Sequence, residues 1–110
     1  EAVQDMRVRG DDGHVIHISS MSGYRVAPGG GVYAATKHAV RALTEALRGE
    51  LRKLRSGIRV TSISPGFVET YGRYPVLQVD DIARSVAYVL AQPPHVQVHD
   101  ILLRPTQQDT

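Results

Sequence analysis

The sequence of 110 residues contains no cysteine, no tryptophan and a single phenylalanine. The absence of cysteine excludes disulfide bonds, thiolate catalysis and cysteine-based zinc sites. Nothing in the composition argues for an oxidising compartment, and we expect a cytoplasmic location. Long apolar runs are missing as well, because no run approaches the roughly 18 residues that a membrane-spanning helix requires. We therefore expect a globular protein without a membrane partner.

The sequence also lacks a large excess of either positive or negative charge. Lysine and arginine together number 13, and aspartate and glutamate number 11, which gives a formal net charge of +2 at pH 7. The basic residues are interleaved with acidic ones, whereas a nucleic-acid-binding surface usually clusters them. We therefore expect no nucleic-acid partner. Apolar residues make up 42% of the sequence, a share typical of one small globular domain with a modest core.

The pattern of apolar residues predicts helices that alternate with strands. Runs rich in β-branched residues predict strands, and runs with helical periodicity predict helices. A Gly-Asp-Asp-Gly turn is predicted at residues 10–13, and a polar tail follows the last strand. Such alternation is typical of parallel βαβ units with right-handed crossovers. The predicted helices cover residues 1–9, 32–55 and about 80–91, and the predicted strands cover residues 14–19, 58–64 and 96–103.

The two longer helices carry specific expectations. Gly57 is typical of the residue that follows a helix end, and Asp80 or Asp81 is predicted to cap the last helix. The apolar stripe of the long helix comprises Val40, Leu43, Leu47, Leu51 and Leu54. The inward side of the last helix is predicted to comprise Ile82, Ala83, Val86, Val89 and Leu90.

Tyr33 and Lys37 stand at positions i and i+4 near the start of the long helix. They are therefore expected to project from the same face, one turn apart. An ammonium group beside a phenol favours the phenolate and lowers the phenol pKa from its reference of about 10. Such a phenol can transfer a proton near neutral pH. Ser20, thirteen residues before Tyr33, ends a predicted strand and is placed to hold a carbonyl oxygen near that phenol.

The spacing Ser-x12-Tyr-x3-Lys of Ser20, Tyr33 and Lys37 resembles the catalytic pattern of the short-chain dehydrogenase/reductases. The flanking segments 13–20 and 65–70 agree with the same family. A Tyr-x3-Lys pair alone is common by chance, but three motifs in this order on the expected elements are specific. The resemblance implies an α/β fold, a partial Rossmann-like doubly wound parallel sheet. The part of this fold present here would comprise the last three strands, the catalytic helix and one further helix.

The resemblance also implies a role for each site residue. Tyr33 would be the proton donor, Lys37 would lower its pKa and hold the nicotinamide ribose, and Ser20 would hydrogen-bond the substrate oxygen. In the second motif, Gly66 would let the backbone approach the nicotinamide ring, and the backbone of Val68 would meet the carboxamide. The expected catalytic residues are Ser20, Tyr33 and Lys37, and the expected cofactor-binding residues are Tyr33, Lys37, Pro65, Gly66, Val68 and Thr70.

The activity that the resemblance implies is hydride transfer between NADP(H) and a ketone or secondary alcohol, with NAD(H) not excluded. Steroid-like and other lipophilic carbonyl compounds are the expected substrates. The long helix is expected to pack against its equivalent in a partner subunit, which predicts a homo-oligomer. Two alternatives stay open. One is an inactive truncated member that associates with a full-length subunit through this helix, and the other is an epimerase or dehydratase on the same scaffold.

The sequence departs from the family pattern in two respects. The Gly-rich pyrophosphate turn, the residue that selects NAD or NADP and the family's catalytic asparagine have no counterpart here. We therefore expect residues 1–110 to be the C-terminal portion of a single domain whose N-terminal cofactor-binding half is absent, leaving the activity of this chain alone open. In addition, only about nine residues separate Thr70 from Asp80, where the family has a longer substrate lid.

Five histidines raise the question of a metal site. His14 and His17 are three residues apart, and His95 and His99 are four apart. On strands or loops these spacings do not enforce a shared ligand geometry, and no carboxylate cluster completes a site. We therefore expect no bound metal.

Overall fold

The structure is a computed structural model that describes residues 1–68 and 75–108. Helices and strands alternate along the chain, as the apolar pattern predicts. A short 3-10 turn at Met21–Gly23, labelled η1, follows the first strand. The other elements are α1 (Ala2–Val8), β1 (Asp12–Ile18), α2 (Gly31–Lys53), β2 (Gly57–Pro65), α3 (Val79–Leu90) and β3 (Asp100–Leu103).

The three strands form one parallel sheet in the order β1-β2-β3. In register, Ile18 lies opposite Ile63, and Ser62 lies opposite Asp100. The central strand β2 contains the most buried residues, with Val60 and Ile63 fully buried. This arrangement confirms the α/β, Rossmann-like class. In this three-stranded sheet β1 is an edge strand, and its last residue Ile18 is exposed.

The core lies between the helices α1 and α2 and the first two strands. Its buried centre consists of Leu51, Ile58 and Val60, and partly buried apolar residues from both helices and β1 pack against it. The stripe predicted for α2 is only partly correct, because Leu51 is buried whereas Leu43 is 69% exposed and Leu54 is also exposed. Among the described helices, none combines the length and the apolar character needed to cross a membrane.

Arg48 fastens α2 to the sheet from inside the core. Its side chain is only 5% exposed and forms an ion pair with Glu45. The guanidinium Nη2 donates to the carbonyl oxygens of Val60 at 3.0 Å and His99 at 2.9 Å, and Nε donates to Val60 at 3.3 Å. A buried guanidinium needs such partners, because an unpaired buried charge is costly. The bonds hold α2 against β2 and against the segment that leads into β3.

The prediction for the end of α2 is wrong. The residue in the left-handed region after this helix is Arg55, with φ 54°, and not Gly57. Gly57 instead opens β2, where an added Cβ would lie 2.7 Å from the carbonyl oxygen of Asp11. A close approach between the chain before β1 and the start of β2, and not the ending of the helix, therefore requires glycine at this position.

The predictions for α3 and β3 also need correction. The N-cap of α3 is Gln78, and Asp81 acts from within the helix, since its carboxylate accepts a 2.7 Å hydrogen bond from the Gln78 N–H. The inward side of α3 includes fully buried Val89, whereas Ala83 and Leu90 are exposed. β3 begins at Asp100 and not at residue 96. Ahead of it, the N–H of Val60 donates to the side-chain Oε1 of Gln97 (2.8 Å) in place of a backbone carbonyl.

Candidate active site

Ser20 lies immediately beyond β1, where it is the N-cap of η1. Its Oγ accepts a hydrogen bond from the N–H of Ser22 at 3.1 Å. A serine hydroxyl has one proton to donate and two lone pairs that accept. The bond to Ser22 occupies only a lone pair, so it fixes the position of Oγ and leaves the proton of Ser20 free to donate to a neighbouring oxygen.

Tyr33 and Lys37 occupy the first two turns of α2. The Lys37 Nζ lies 5.6 Å from the centre of the Tyr33 ring, within the usual range of a cation–π contact. The predicted juxtaposition of the two side chains is therefore present. Tyr33 is 54% exposed, so its ring can be reached by a ligand while the ammonium group stays beside it.

A cavity of about 310 Å³ lies where β1 and β2 end. Ser20 and Tyr33, from the chain after β1, line one part of it. Pro65, Gly66 and Val68, at and after the end of β2, line another part. In open α/β sheets, ligands bind beyond the carboxyl ends of the strands, which is the position of this cavity. The other lining residues are Ser19, Met21, Ser22, Arg25, Phe67 and Gln108.

The structure thus brings together most of the residues singled out in the sequence. Ser20, Tyr33, Pro65, Gly66 and Val68 share one cavity. Lys37 is not part of the cavity lining and instead contacts the ring of Tyr33. Thr70, the sixth expected cofactor-binding residue, lies outside the described residues.

Gln108 is a lining residue that the sequence does not reveal. It is 2% exposed, its Oε1 accepts from the N–H of Phe67 at 3.0 Å, and its Nε2 lies 3.8 Å from the Sδ of Met21. In the sequence, Gln108 stands in a polar tail next to Gln107, and nothing in its type or spacing sets it apart. Its role depends on a contact across 41 residues, which only the folded chain shows.

The packing of Gln108 also explains why residue 66 is glycine. A Cβ at Gly66 would overlap the Oε1 of Gln108 and would lie 2.8 Å from the Cβ of Arg104. The backbone at Gly66 can approach the tail this closely only without a side chain. Contact with the tail is therefore a structural reason for this glycine, in addition to the approach to a ring that the family resemblance implies.

Tyr24 anchors the loop that carries Ser20. Its hydroxyl donates to the Asp100 carboxylate at the start of β3, and the Arg41 guanidinium lies 4.1 Å from the centre of its ring. Arg41 also donates to the carbonyl oxygen of Gly23 at 3.2 Å. Burial and the hydrogen bond to Asp100 raise the pKa of Tyr24 to about 12. Tyr24 therefore stays protonated at neutral pH and serves as a fixed donor.

The histidines of β1 pair with threonines. Thr61 donates its hydroxyl proton to the Val98 carbonyl oxygen at 2.6 Å, so it accepts from the Nε2–H of His14 at 2.7 Å. The Nδ1 of His14 is buried and has no partner among the described residues. Burial, with a smaller contribution from the charge of Arg59, lowers the pKa of His14. Within residues 1–68 and 75–108, no group of three potential ligands is arranged to hold a metal ion.

Comparison with known proteins places these features in context. The profile of the family described as short chain dehydrogenase matches residues 1–78. The chain is 50% identical to Dehydrogenase/reductase SDR family member 11 of Bos taurus, and the alignment covers 100% of this chain and 51% of that protein. It is 45% identical to the Farnesol dehydrogenase of Aedes aegypti, with 96% of this chain and 47% of that protein covered.

A solved structure agrees with the same assignment. The closed form of serine dehydrogenase complexed with NADP+ matches with a TM-score of 0.89 and 30% identity, covering 99% of this chain and 50% of that chain. The chain spans about half the length of the curated relatives it matches. The alignment with the Bos taurus protein runs over 130 residues, whereas this chain has 110, so residues of that protein within the aligned region have no counterpart here.

Proposed function

The chain belongs to the short-chain dehydrogenase/reductase family, and from this premise we propose that it supplies the catalytic residues of a carbonyl reductase. The family consists of NAD(P)-dependent oxidoreductases. The proposed reaction is hydride transfer between NADP(H) and a ketone or secondary alcohol, with NAD(H) as the alternative cofactor. The observation that carries the proposal is the shared cavity of Ser20 and Tyr33, with Lys37 beside the Tyr33 ring.

Tyr33 and Ser20 act on the oxygen of the carbonyl group, and Lys37 acts on Tyr33. The reduced nicotinamide, when bound, supplies the hydride that reduces the carbonyl carbon. Tyr33 donates its phenolic proton to the oxygen as negative charge develops there, which yields the alcohol. Ser20 donates a hydrogen bond to the same oxygen, through the hydroxyl that its bond to Ser22 leaves free to donate, and so stabilises that charge. The positive charge of Lys37 stabilises the phenolate that remains on Tyr33.

The cavity fits one end of the cofactor. Its volume of about 310 Å³ is at the lower limit of typical ligand pockets, which run from roughly 300 to 1,000 Å³. It can enclose a nicotinamide ring and a carbonyl group, but not a whole dinucleotide. Tyr33, Lys37, Pro65, Gly66, Val68 and Thr70 are proposed to hold the nicotinamide end. The adenosine and pyrophosphate would bind an N-terminal half, so we assign residues 1–110 to the C-terminal portion of the domain.

Lipophilic carbonyl compounds, including steroid-like ones, are the proposed substrates. Met21, Phe67 and Val68 give the cavity an apolar side, and a relative of this chain is named Farnesol dehydrogenase, after a lipophilic alcohol. The short segment between Thr70 and Asp80 is proposed to be a reduced substrate lid. The alignment with the Bos taurus protein includes residues that have no counterpart in this chain, as a shortened segment would require.

A partner subunit is proposed for α2. This helix exposes Val32 at 83% and Leu43 at 69%, and contact with a second helix would remove these side chains from water. A homo-oligomer is the first choice. Association of an inactive short chain with a full-length subunit is the second candidate, because the chain spans about half of its relatives. The cytoplasmic location stays a prediction.

The test uses the longest natural form of the protein that contains this chain. NADPH consumption is followed by nucleotide fluorescence with a lipophilic ketone as substrate, and net consumption separates a reductase from an epimerase or dehydratase. Tyr33→Phe should lower kcat by about 100-fold or more while leaving the Kd for NADPH within a factor of about two. Tyr88→Phe, on the exposed side of α3, is the matched control. Retained turnover in Tyr33→Phe would reject Tyr33 as the proton donor.

The second candidate needs a separate measurement. The purified 110-residue chain is titrated with NADPH after circular dichroism has shown that it is folded. Saturable binding would extend the enzyme proposal to this chain alone. Absence of binding up to millimolar nucleotide, together with co-purification with a longer relative, would favour the inactive subunit.

A further inference from the structure

Arg25 lines the same cavity as Ser20 and Tyr33. Its Nε is buried and has no hydrogen-bond partner among the described residues. The five salt bridges within that part of the chain all involve other arginines. A guanidinium group at the wall of a cavity, without a protein partner in residues 1–68 and 75–108, is therefore available to a ligand.

Among the described residues that line the cavity, none neutralises the charge of Arg25. No acidic side chain is present among the described residues that line the cavity, where the polar groups are serines, Tyr33 and Gln108. The Oγ of Ser19, also at this wall, is buried and has no hydrogen-bond partner in the part of the chain that the structure describes. Arg25 is partly buried and its Nε is fully buried, and a buried N–H group is costly unless an acceptor compensates for the lost water. A planar guanidinium matches a carboxylate especially well, because two parallel N–H groups can donate to its two oxygens.

The backbone next to Arg25 is firmly held. The preceding residue, Tyr24, donates to Asp100 of β3, and Arg41 of α2 donates to the carbonyl oxygen of Gly23. Both bonds fix the loop between Ser20 and Arg25 on two regular elements. A binding group on such a support loses little freedom when its ligand arrives.

We propose that Arg25 binds a carboxylate group of the substrate while Ser20 and Tyr33 hold its carbonyl or hydroxyl oxygen. This inference rests on the proposed function and narrows the substrate class. The apolar residues Met21, Phe67 and Val68 accept the hydrocarbon part. Within the lipophilic carbonyl compounds proposed above, amphipathic oxo acids and the corresponding hydroxy acids are therefore turned over more efficiently than neutral ketones. The other anion that Arg25 could recognise is a phosphate group of the cofactor. The experiment distinguishes the substrate carboxylate from this phosphate.

The experiment compares straight-chain oxocarboxylic acids with their methyl esters in the natural protein that contains this chain. The separation between the oxo group and the carboxylate is varied from two to five bonds. The ratio of kcat/KM for the acid to kcat/KM for its ester is measured for wild type, Arg25→Met, Arg25→Lys and Arg52→Met. Arg52 is an exposed arginine on α2 and controls for loss of one positive charge.

Arg25→Met should lower the acid-to-ester ratio by about 10- to 100-fold, the usual effect of losing a hydrogen-bonded charge partner. Arg25→Lys should retain part of the preference for the acid, because it keeps the positive charge but loses the two parallel N–H donors of the guanidinium group. Arg52→Met should leave the ratio unchanged. A wild-type ratio near one at every separation, or a ratio that Arg25→Met does not change, would overturn the proposal.

Two further readouts complete the design. If Arg25→Met weakens NADPH binding and lowers turnover of acids and esters equally, Arg25 binds a cofactor phosphate and the substrate assignment is wrong. If the protein shows no turnover at all, the proposed function fails. Binding of the oxo acids, measured by calorimetry, then tests independently whether Arg25 binds a carboxylate. Binding of the acid that is lost in Arg25→Met and kept in Arg52→Met supports the inference, whereas equal binding by the three proteins contradicts it.

Discussion

The backbone N–H of Phe67 donates to the Oε1 of Gln108 at 3.0 Å, across 41 residues of sequence. This bond joins the segment after β2, which forms one wall of the cavity, to the tail after β3. Because the Nε2 of the same side chain lies against the sulfur of Met21, Gln108 connects both walls. The geometry of the candidate site therefore depends on a residue that does not belong to any of the recognised motifs.

Replacement of Gln108 by leucine should disturb the site more than the fold. The change keeps the approximate size but leaves the Phe67 N–H without its acceptor, which costs about 1–3 kcal/mol. We expect a several-fold higher KM and a modest fall in the unfolding midpoint, measured by steady-state kinetics and thermal unfolding. Gln107→Leu, at the exposed neighbouring position, is the control. Equal effects of the two variants would show that the bond to Phe67 is unimportant.

Arg48→Met should destabilise the fold without a direct effect on the cavity. The variant removes the donors to the carbonyl oxygens of Val60 and His99 from a buried position. We expect a loss of about 2–4 kcal/mol in the free energy of unfolding, measured by urea denaturation. Arg52→Met on the same helix provides the comparison and should change the stability by less than about 0.5 kcal/mol. A loss of that small size for Arg48→Met would contradict the proposed fastening of α2.

The stability of the protein should fall on the acid side because of His14. Burial and Arg59 lower its pKa below the reference of 6.5, so the unfolded chain binds more protons than the folded one. The stabilising contribution is therefore complete above pH 6.5 and is lost as the pH falls from 6.5 toward the folded pKa. His14→Gln, which keeps a donor for Thr61, should reduce the difference in unfolding free energy between about pH 7.5 and about pH 5.

The exposed residue His95 offers a matched control for this titration. His95→Gln should retain the acid dependence of the wild type. An unchanged dependence in His14→Gln would mean that other groups cause the loss of stability.

Tyr24→Phe should remove a phenol whose pKa lies well above the reference of about 10. Because the pKa of Tyr24 is raised to about 12, its contribution to stability is complete below pH 10 and is lost as the pH rises from 10 toward 12. An alkaline titration of phenolate absorbance should therefore show a late component that is absent in Tyr24→Phe. Persistence of that component in the variant would assign it to another tyrosine.

Local patterns in the sequence account for the elements and for much of the site. The helical spacing of Tyr33 and Lys37 and the position of Ser20 after a strand, together with the family resemblance of their pattern, predict which residues come together. Gly57 shows the limit of such reasoning. Its role depends on the distance to Asp11, and a glycine near a helix end is equally typical of a cap.

The parts that could not be predicted all depend on contacts between distant segments. Gln108 and Arg25 have ordinary polar types in ordinary loop sequences, and only the folded chain places them at the cavity. The exposure of Leu43 is a similar case, because helical periodicity identifies an apolar residue but not which of two faces meets the sheet. Whether the face of α2 that carries Leu43 contacts a partner subunit therefore depends on how the protein assembles, which helical periodicity does not predict.

The parallel order of the sheet has a consequence for how the chain acquires its structure. Asp12 pairs with Gly57 and Ser62 pairs with Asp100, so these paired residues are 45 and 38 positions apart in the sequence. The entropy of closing these long loops is lost before strand pairing compensates for it, which slows folding. The helix α2 is built from local contacts and can form early. The apolar strands stay unpaired until their distant partner strands reach them. During this interval the chain is most exposed to aggregation, so the yield of folded protein depends on the rate of strand pairing and falls as chain concentration rises.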